Sequence, residues 1–289
     1  MLLSAVLVTA LGVPLLWAAW AALAAGMNGP AWAELAADSQ TAKALGMTLW
    51  TGLVASALAL ALTAALLSRM FPSPAWTRLV HWLSPMLAIP HAAFAIGLAF
   101  LISPSGWLLR ALSPWATGFS APPPWPTTQD PWGLGLIAVL IAKEVPFLLW
   151  TAATQLQRPE VAARWTRELQ LARSLGYSAR TAWWRVLWPQ LWPRLTLPLL
   201  AVLAYSLTVV DMALVIGPTS PPTLSVLAWQ WLLDADTNVN AQGAAAAWLL
   251  AGVLASLGAG RGGRSRLALW RGRWTGGSRR ASVRELARN

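Results

Sequence analysis

Lys143, Glu144 and Asp211 are ionisable residues within stretches otherwise apolar over membrane-spanning length, roughly 20 residues. A charge at bilayer depth costs ~2.5–3.5 kcal/mol on insertion scales, so each must face protein or water and find a partner. Groups so placed can pair with one another, line a solute path or contact a charged solute. Counted at ~1.5 Å per residue from the outer ends of their segments, Lys143 lies ~15 Å deep and Asp211 ~9 Å deep. A lysine side chain spans that difference. The expectation is therefore a Lys143–Asp211 pair with Glu144 lining a cavity, a purely structural role for all three being an equal alternative.

A second constellation is polar and lies between apolar segments. Gln170-Leu171-Ala172-Arg173-Ser174-Leu175-Gly176 is followed by Val186 and Pro189, ten and thirteen residues after the glycine. From Glu160 to Ser174, the residues Val161, Trp165, Leu169 and Ala172 recur at helical spacing, and Glu160, Arg164 and Arg167 occupy another face. Gly176 permits the left-handed turn that ends such a helix, and Ser178 suits the cap of the next. Pro189 and Pro193 are expected to limit that second helix. The pattern is that of a docking helix.

Catalytic chemistry is missing. The only lysines, Lys43 and Lys143, both follow alanine, so no Gly-Lys-Ser/Thr phosphate loop is present. Neither His81 nor His91 opens a His-Glu-x-x-His motif, no Gly-x-Ser-x-Gly elbow occurs, and cysteine is absent. No catalytic residue, metal site or cofactor is expected. His81 and His91 flank Pro85 and Pro90 and are read as interfacial hydrogen-bonding groups, as Trp183, Trp184 and Trp188 are read as packing residues.

The elements that must position these groups are membrane helices. Apolar residues form 57% of the chain and charged ones 11%, with mean hydropathy +0.53, whereas soluble domains carry roughly 25% charge. Apolar runs occur at Leu2–Ala24, Gly46–Leu67, Met86–Ile102, Gly133–Ala153, Leu195–Gly217 and Ala244–Gly260. The expected fold is all-α: a polytopic membrane protein of six transmembrane helices with a cytoplasmic helical loop at 158–194. The membrane domain is placed at 1–260, and 261–289 is read as a basic tail, disordered or lying on anionic lipid. The first run has no basic leader and exceeds a signal-peptide core, so it is expected to be a retained helix.

The net charge of +11 is a topology signal. Arg69 and Arg78, seven arginines between 158 and 194, and nine after Gly260 fall on one side. Lys43 and Arg110 fall on the other, with Glu34, Asp38, Asp130, Asp234 and Asp236. Positive residues mark the cytoplasmic face, which places both termini there and argues against a nucleic-acid partner. On the outer side, Ser103–Pro131 is rich in Pro and Trp, and the run ending at Leu233 is too short to span and reads as a partly buried helix. Gly52 with Ser56 and Ala93 with Gly97 offer small-residue helix contacts.

The stretch 170–189 resembles the coupling motif of ABC-transporter permeases, written E-A-A-three-G-nine-I-x-L-P. Ala172, Gly176, Val186 for Ile, and Pro189 stand at its spacing, while Gln170, Leu171 and Trp188 replace its Glu, Ala and Leu. The resemblance extends to the thiamine-type branch of type I importer permeases. It is carried there by Ile89–Gly97, Lys143–Leu148 and Val210–Pro218 with Pro221-Pro222-Thr223-Leu224. It implies a permease subunit of a bacterial inner-membrane importer, coupled through the loop around Gly176 to a separate ATP-binding cassette ATPase dimer. It further implies a second permease half (a copy or a sister chain), an external solute-binding protein and a small solute such as thiamine or a related cation. The substitution of Gln170 puts in question a charged contact that Glu would supply. A secondary transporter or channel working without ATP is the alternative.

Overall fold

The computed structural model describes residues 2–271, and every regular element among them is helical, as expected of an all-α chain. Met1–Leu250 and Ala251–Asn289 form two compact units. The first apolar run is α1 (Leu2–Gly26), which carries no charge. α2 (Gly29–Ala37) is capped by the Asn28 side chain, which accepts from Ala31 N–H at 3.3 Å, and has Pro30 in its first turn.

The long α3 (Thr41–Met70) ends at a turn, and Ser73 then caps α4 (Pro74–Ala88) by accepting from Trp76 N–H at 3.4 Å. α5 (His91–Ile102) and the short α6 (Trp107–Leu112) follow. α7 (Leu134–Leu156) has the most elaborate start. The Asp130 carboxylate accepts from the N–H groups of Trp132, Leu134 and Gly135 at 3.1, 2.9 and 2.8 Å. Gly133 turns the chain there at φ 67°, and a Cβ on it would meet Thr51 at 2.6 Å. Only glycine serves both demands.

After α7 come α8 (Pro159–Ser174), the single turn α9 (Ala179–Ala182), a π-helical turn at Trp183–Leu187 and α10 (Trp188–Thr208). The chain closes with α11 (Asp211–Ile216), α12 (Leu224–Leu232) and α13 (Thr237–Arg271). Among the described residues, five helical stretches are long and apolar enough to cross a membrane: Thr41–Met70, His91–Leu112, Leu134–Leu156, Ala179–Thr208 and Thr237–Ala259. α1 coincides with the first of the six runs expected from composition.

Several expectations are corrected. The run Met86–Ile102 is not one helix: it breaks at Ile89-Pro90 between α4 and α5. Leu195–Gly217 likewise breaks at Val209-Val210 between α10 and α11. Hydropathy sums see neither break, because the residues on both sides are apolar. Pro189 and Pro193 do not limit the helix after Ser178, which runs on through Pro193 and Pro198 to Thr208. Widening to a π turn, where Trp188 N–H reaches Trp183 O, takes the strain just ahead of Pro189. The basic tail begins inside α13, helical to Arg271; residues 272–289 of that expectation lie outside the described residues.

Three larger apolar clusters, with a small one at Ala59, Leu148 and Val202, hold the first unit. One joins α3, α4, α7 and α8 to the π turn and α10 through Leu67, Leu83, Leu149, Trp165, Trp183 and Leu191. A middle cluster seats Met212 and Ile216 of α11 against Leu136 and Leu140 of α7. The third gathers Leu35, Ala44, Leu224 and Ala245 at the opposite end. α12 packs there as the partly buried helix expected of that short run. Gly52 and Ser56 make a close helix contact: a Cβ on Gly52 would meet Leu207 at 2.7 Å, and Ser56 bonds Ser206 at 3.3 Å. Ala93 and Gly97 are exposed and make no such contact.

Candidate coupling surface and membrane-embedded polar site

α8 divides as its spacing predicts. Trp165, Leu169 and Ala172 are buried, Val161 is half-buried against them, and Glu160, Arg164, Arg167 and Gln170 are exposed. Its end is closed by two backbone bonds, Tyr177 N–H to Ala172 O at 3.2 Å and Gly176 N–H to Arg173 O at 3.0 Å. That pattern needs a left-handed residue at position 176, and Gly176 has φ 87° with open space around it. Ser178 then accepts from Thr181 N–H at 3.2 Å and starts α9. Leu171, Leu175 and Tyr177 stand 62%, 70% and 40% exposed around the glycine. An apolar tip of this size on an otherwise arginine-rich segment has the character of a contact surface.

The underside of α8 is tied to α10 by a side-chain network. Trp165 Nε1 donates to Gln190 Oε1 at 3.0 Å. Gln190 Nε2 donates to Glu168 Oε2 at 2.6 Å and to Val186 O at 2.9 Å, so both ends of the amide are used. Glu168 also accepts from Arg164 Nε at 2.8 Å, and the Arg194 guanidinium lies 5.0 Å from the centre of the Trp165 ring. The hydrogen bond from Arg164, followed by that from Gln190, holds the Glu168 carboxyl below the ordinary carboxylate range. Trp183, buried in the π turn, meets Trp184 edge-to-face at 4.8 Å between centroids and lies tilted against Trp188 at 5.5 Å. Val186 is half-buried beside them, while Pro189 is exposed in the first turn of α10. Sequence reasoning missed Gln190 and Glu168, which are 22 residues apart and gain a role only when α8 folds back on α10.

The three embedded charges do not come together as expected. Lys143 is buried, and its ammonium donates to Met86 O at 3.1 Å and Ile89 O at 2.8 Å. The cause is the break at Pro90. Proline has no N–H to offer the carbonyl four residues back, so Met86 O loses its helical partner and Lys143 supplies one. Glu144 turns the other way, bonded to Ser206, which in turn bonds Ser56 and Val202 O; its second oxygen is buried without a hydrogen-bond partner. Asp211 is exposed at the start of α11, and the Tyr205 hydroxyl approaches it at 3.5 Å. The expected Lys143–Asp211 pair is replaced by a lysine-capped helix break.

This geometry predicts additive, not compensating, substitutions. Lys143→Met should destabilise the protein by ~1–3 kcal/mol per orphaned carbonyl, and Asp211→Asn should cost little. Unfolding in detergent of both single variants and of the double should show costs that sum to within about 0.5 kcal/mol. A double variant as stable as the unsubstituted protein would restore the ion-pair account.

No family model matches the chain. The chain is, however, 36% identical over 251 residues, 86% of its length, to the inner membrane ABC transporter permease protein YnjC of Escherichia coli (strain K12). The chain is a relative of that permease. The similarity covers 46% of the relative, so the chain spans about half the length of the protein it matches.

Proposed function

We propose that this chain is the membrane-spanning permease subunit of an ABC importer in a bacterial inner membrane, with both termini in the cytoplasm. In this reading α8 and the turn at Gly176 dock on a separate ATP-binding cassette ATPase, with Gln170, Leu171, Ala172, Gly176, Val186 and Pro189 forming or backing the contact. A second permease half completes the path, and an external solute-binding protein delivers a small solute, thiamine or a related cation by the resemblance of its branch. The observation that carries the reading is the exposed apolar tip of Leu171, Leu175 and Tyr177, mounted on a helix hydrogen-bonded to a membrane-spanning one. Similarity to an ABC permease over most of the chain supports it.

Closure of the ATPase pair on ATP would push α8, and the Trp165–Gln190–Glu168 network would pass that displacement to α10. The test is purification of the tagged chain from its native membrane in mild detergent, with mass spectrometry of what accompanies it. A P-loop ATPase is the expected companion, together with a permease half or a second copy. Recovery of the chain alone, active in liposomes with an ion gradient, would replace this reading with a secondary transporter.

A further inference from the structure

A run of indole rings lies where the helix from Ala179 passes from its arginine-bearing start to the apolar run beginning at Leu195. Trp184, Trp188 and Trp192 recur at every fourth residue, and their rings neighbour one another in turn. The first pair of centroids is 5.3 Å apart and the second 5.7 Å. Trp183 backs the ladder from inside, in the cluster that also seats Trp165 of α8. The core does not use all of these rings: Trp188 and Trp192 are half-buried and Trp184 is 38% exposed.

Positive charge accompanies the ladder. Arg180 stands four residues before Trp184 and Arg185 directly after it, and both are exposed. Among the described residues neither has a carboxylate within 4.0 Å; the ion pair found there is Arg164–Glu168. The Arg185 guanidinium lies 5.9 Å from the centre of the Tyr177 ring, a contact that leaves its N–H groups to an outside acceptor. Indole rings favour the boundary between hydrocarbon and water, with one part of the ring dry and the N–H wet. Guanidinium forks match phosphate oxygens. A soluble partner would meet the arginines but not Trp192, three residues short of the apolar run. Phosphate at one end and hydrocarbon at the other are the two parts of a single lipid.

We propose that Trp184, Trp188 and Trp192, with Arg180 and Arg185, form a binding site for one anionic phospholipid. The two guanidiniums take its phosphate, and the indole ladder takes the upper part of its acyl chains. The site requires that the chain cross a membrane and requires nothing of its solute or its ATPase, so its failure leaves the permease reading standing.

The experiment uses the chain with whatever accompanies it from its membrane, washed of lipid in detergent. Dioleoyl phosphatidylglycerol is the probe, and dioleoyl phosphatidylcholine, with the same acyl chains, is its zwitterionic counterpart. Native mass spectrometry during titration should show phosphatidylglycerol binding about tenfold or more tightly than phosphatidylcholine. Arg180→Gln combined with Arg185→Gln should weaken phosphatidylglycerol about tenfold or more. Trp184→Leu, at an exposed position outside the buried core, should weaken it by about threefold or more. Arg110→Gln removes a guanidinium from α6 and should leave binding unchanged. Equal binding of the two lipids, or equal losses in Arg110→Gln and the double variant, would overturn the site. Displacement of the lipid by millimolar glycerol 1-phosphate would also overturn it, since the ladder would then hold no acyl chain. So would loss of a co-purified ATPase from the double variant with phosphatidylglycerol binding intact, which would assign both arginines to the ATPase.

Discussion

Gly176→Asp is expected to insert normally into the membrane and to lose the ATP-driven uptake proposed for the complex. The local backbone is left-handed at φ 87°, a region that aspartate enters at modest cost, and nothing lies within 4 Å of a Cβ built there. The space around position 176 therefore admits the new side chain, and the left-handed backbone adds only a strain of ~1 kcal/mol. What changes is the centre of the apolar tip formed by Leu171, Leu175 and Tyr177, which gains a charge. Closing a partner over an unpaired carboxylate costs about 2 kcal/mol or more, a factor of roughly 30 or more in affinity. Gly176→Asn separates charge from conformation, because asparagine shares the tolerance for left-handed backbone without the charge. Uptake into vesicles and co-purified ATPase should both collapse for the aspartate variant and persist for the asparagine variant. Normal uptake by Gly176→Asp would remove the turn from the coupling machinery.

The membrane-spanning character of this chain was legible because apolar composition over spanning length leaves few alternatives, and α3 and α7 lie close to where the hydropathy runs put them, whereas the α10 span is displaced towards the N-terminus of its run. The faces of α8 were legible for a similar reason: burial at 165, 169 and 172 is a one-dimensional period. Proline was the misleading signal. At Pro90 it does break the helix, and Lys143 compensates the freed carbonyls; at Pro189, Pro193 and Pro198 the helix continues. Proline's local cost is the same at each, so neighbours from other elements decide the outcome, and those are invisible along the chain. Charge counting failed for a related reason. It sought a carboxylate for Lys143, whereas the partners are backbone carbonyls that exist as acceptors only because the helix is broken.

Gln190→Leu is expected to separate ATP hydrolysis from transport. Leucine keeps the side-chain volume but offers no hydrogen bond, so the buried Trp165 Nε1 loses its acceptor and Glu168 keeps only Arg164. An orphaned buried donor costs ~1–3 kcal/mol, and the alternative to bearing that cost is for α8 to swing away from α10. The exposed tip at Leu171 and Leu175 is untouched, so the ATPase still docks and still turns over. In proteoliposomes holding the co-purified complex, solute moved per ATP hydrolysed should fall severalfold, with hydrolysis itself little changed. Gln190→Glu should be as damaging, since it sets a second carboxylate against Glu168. Adding Glu168→Gln to that variant restores a donor and an acceptor across the same gap, and should recover much of the ratio. A structural role for Gln190 alone would lower the amount of assembled complex and leave the ratio intact. If the ratio holds in all three variants, the push on α8 reaches the membrane by another route, through the apolar contacts of Trp165 and Leu169 with Trp183 and Leu191.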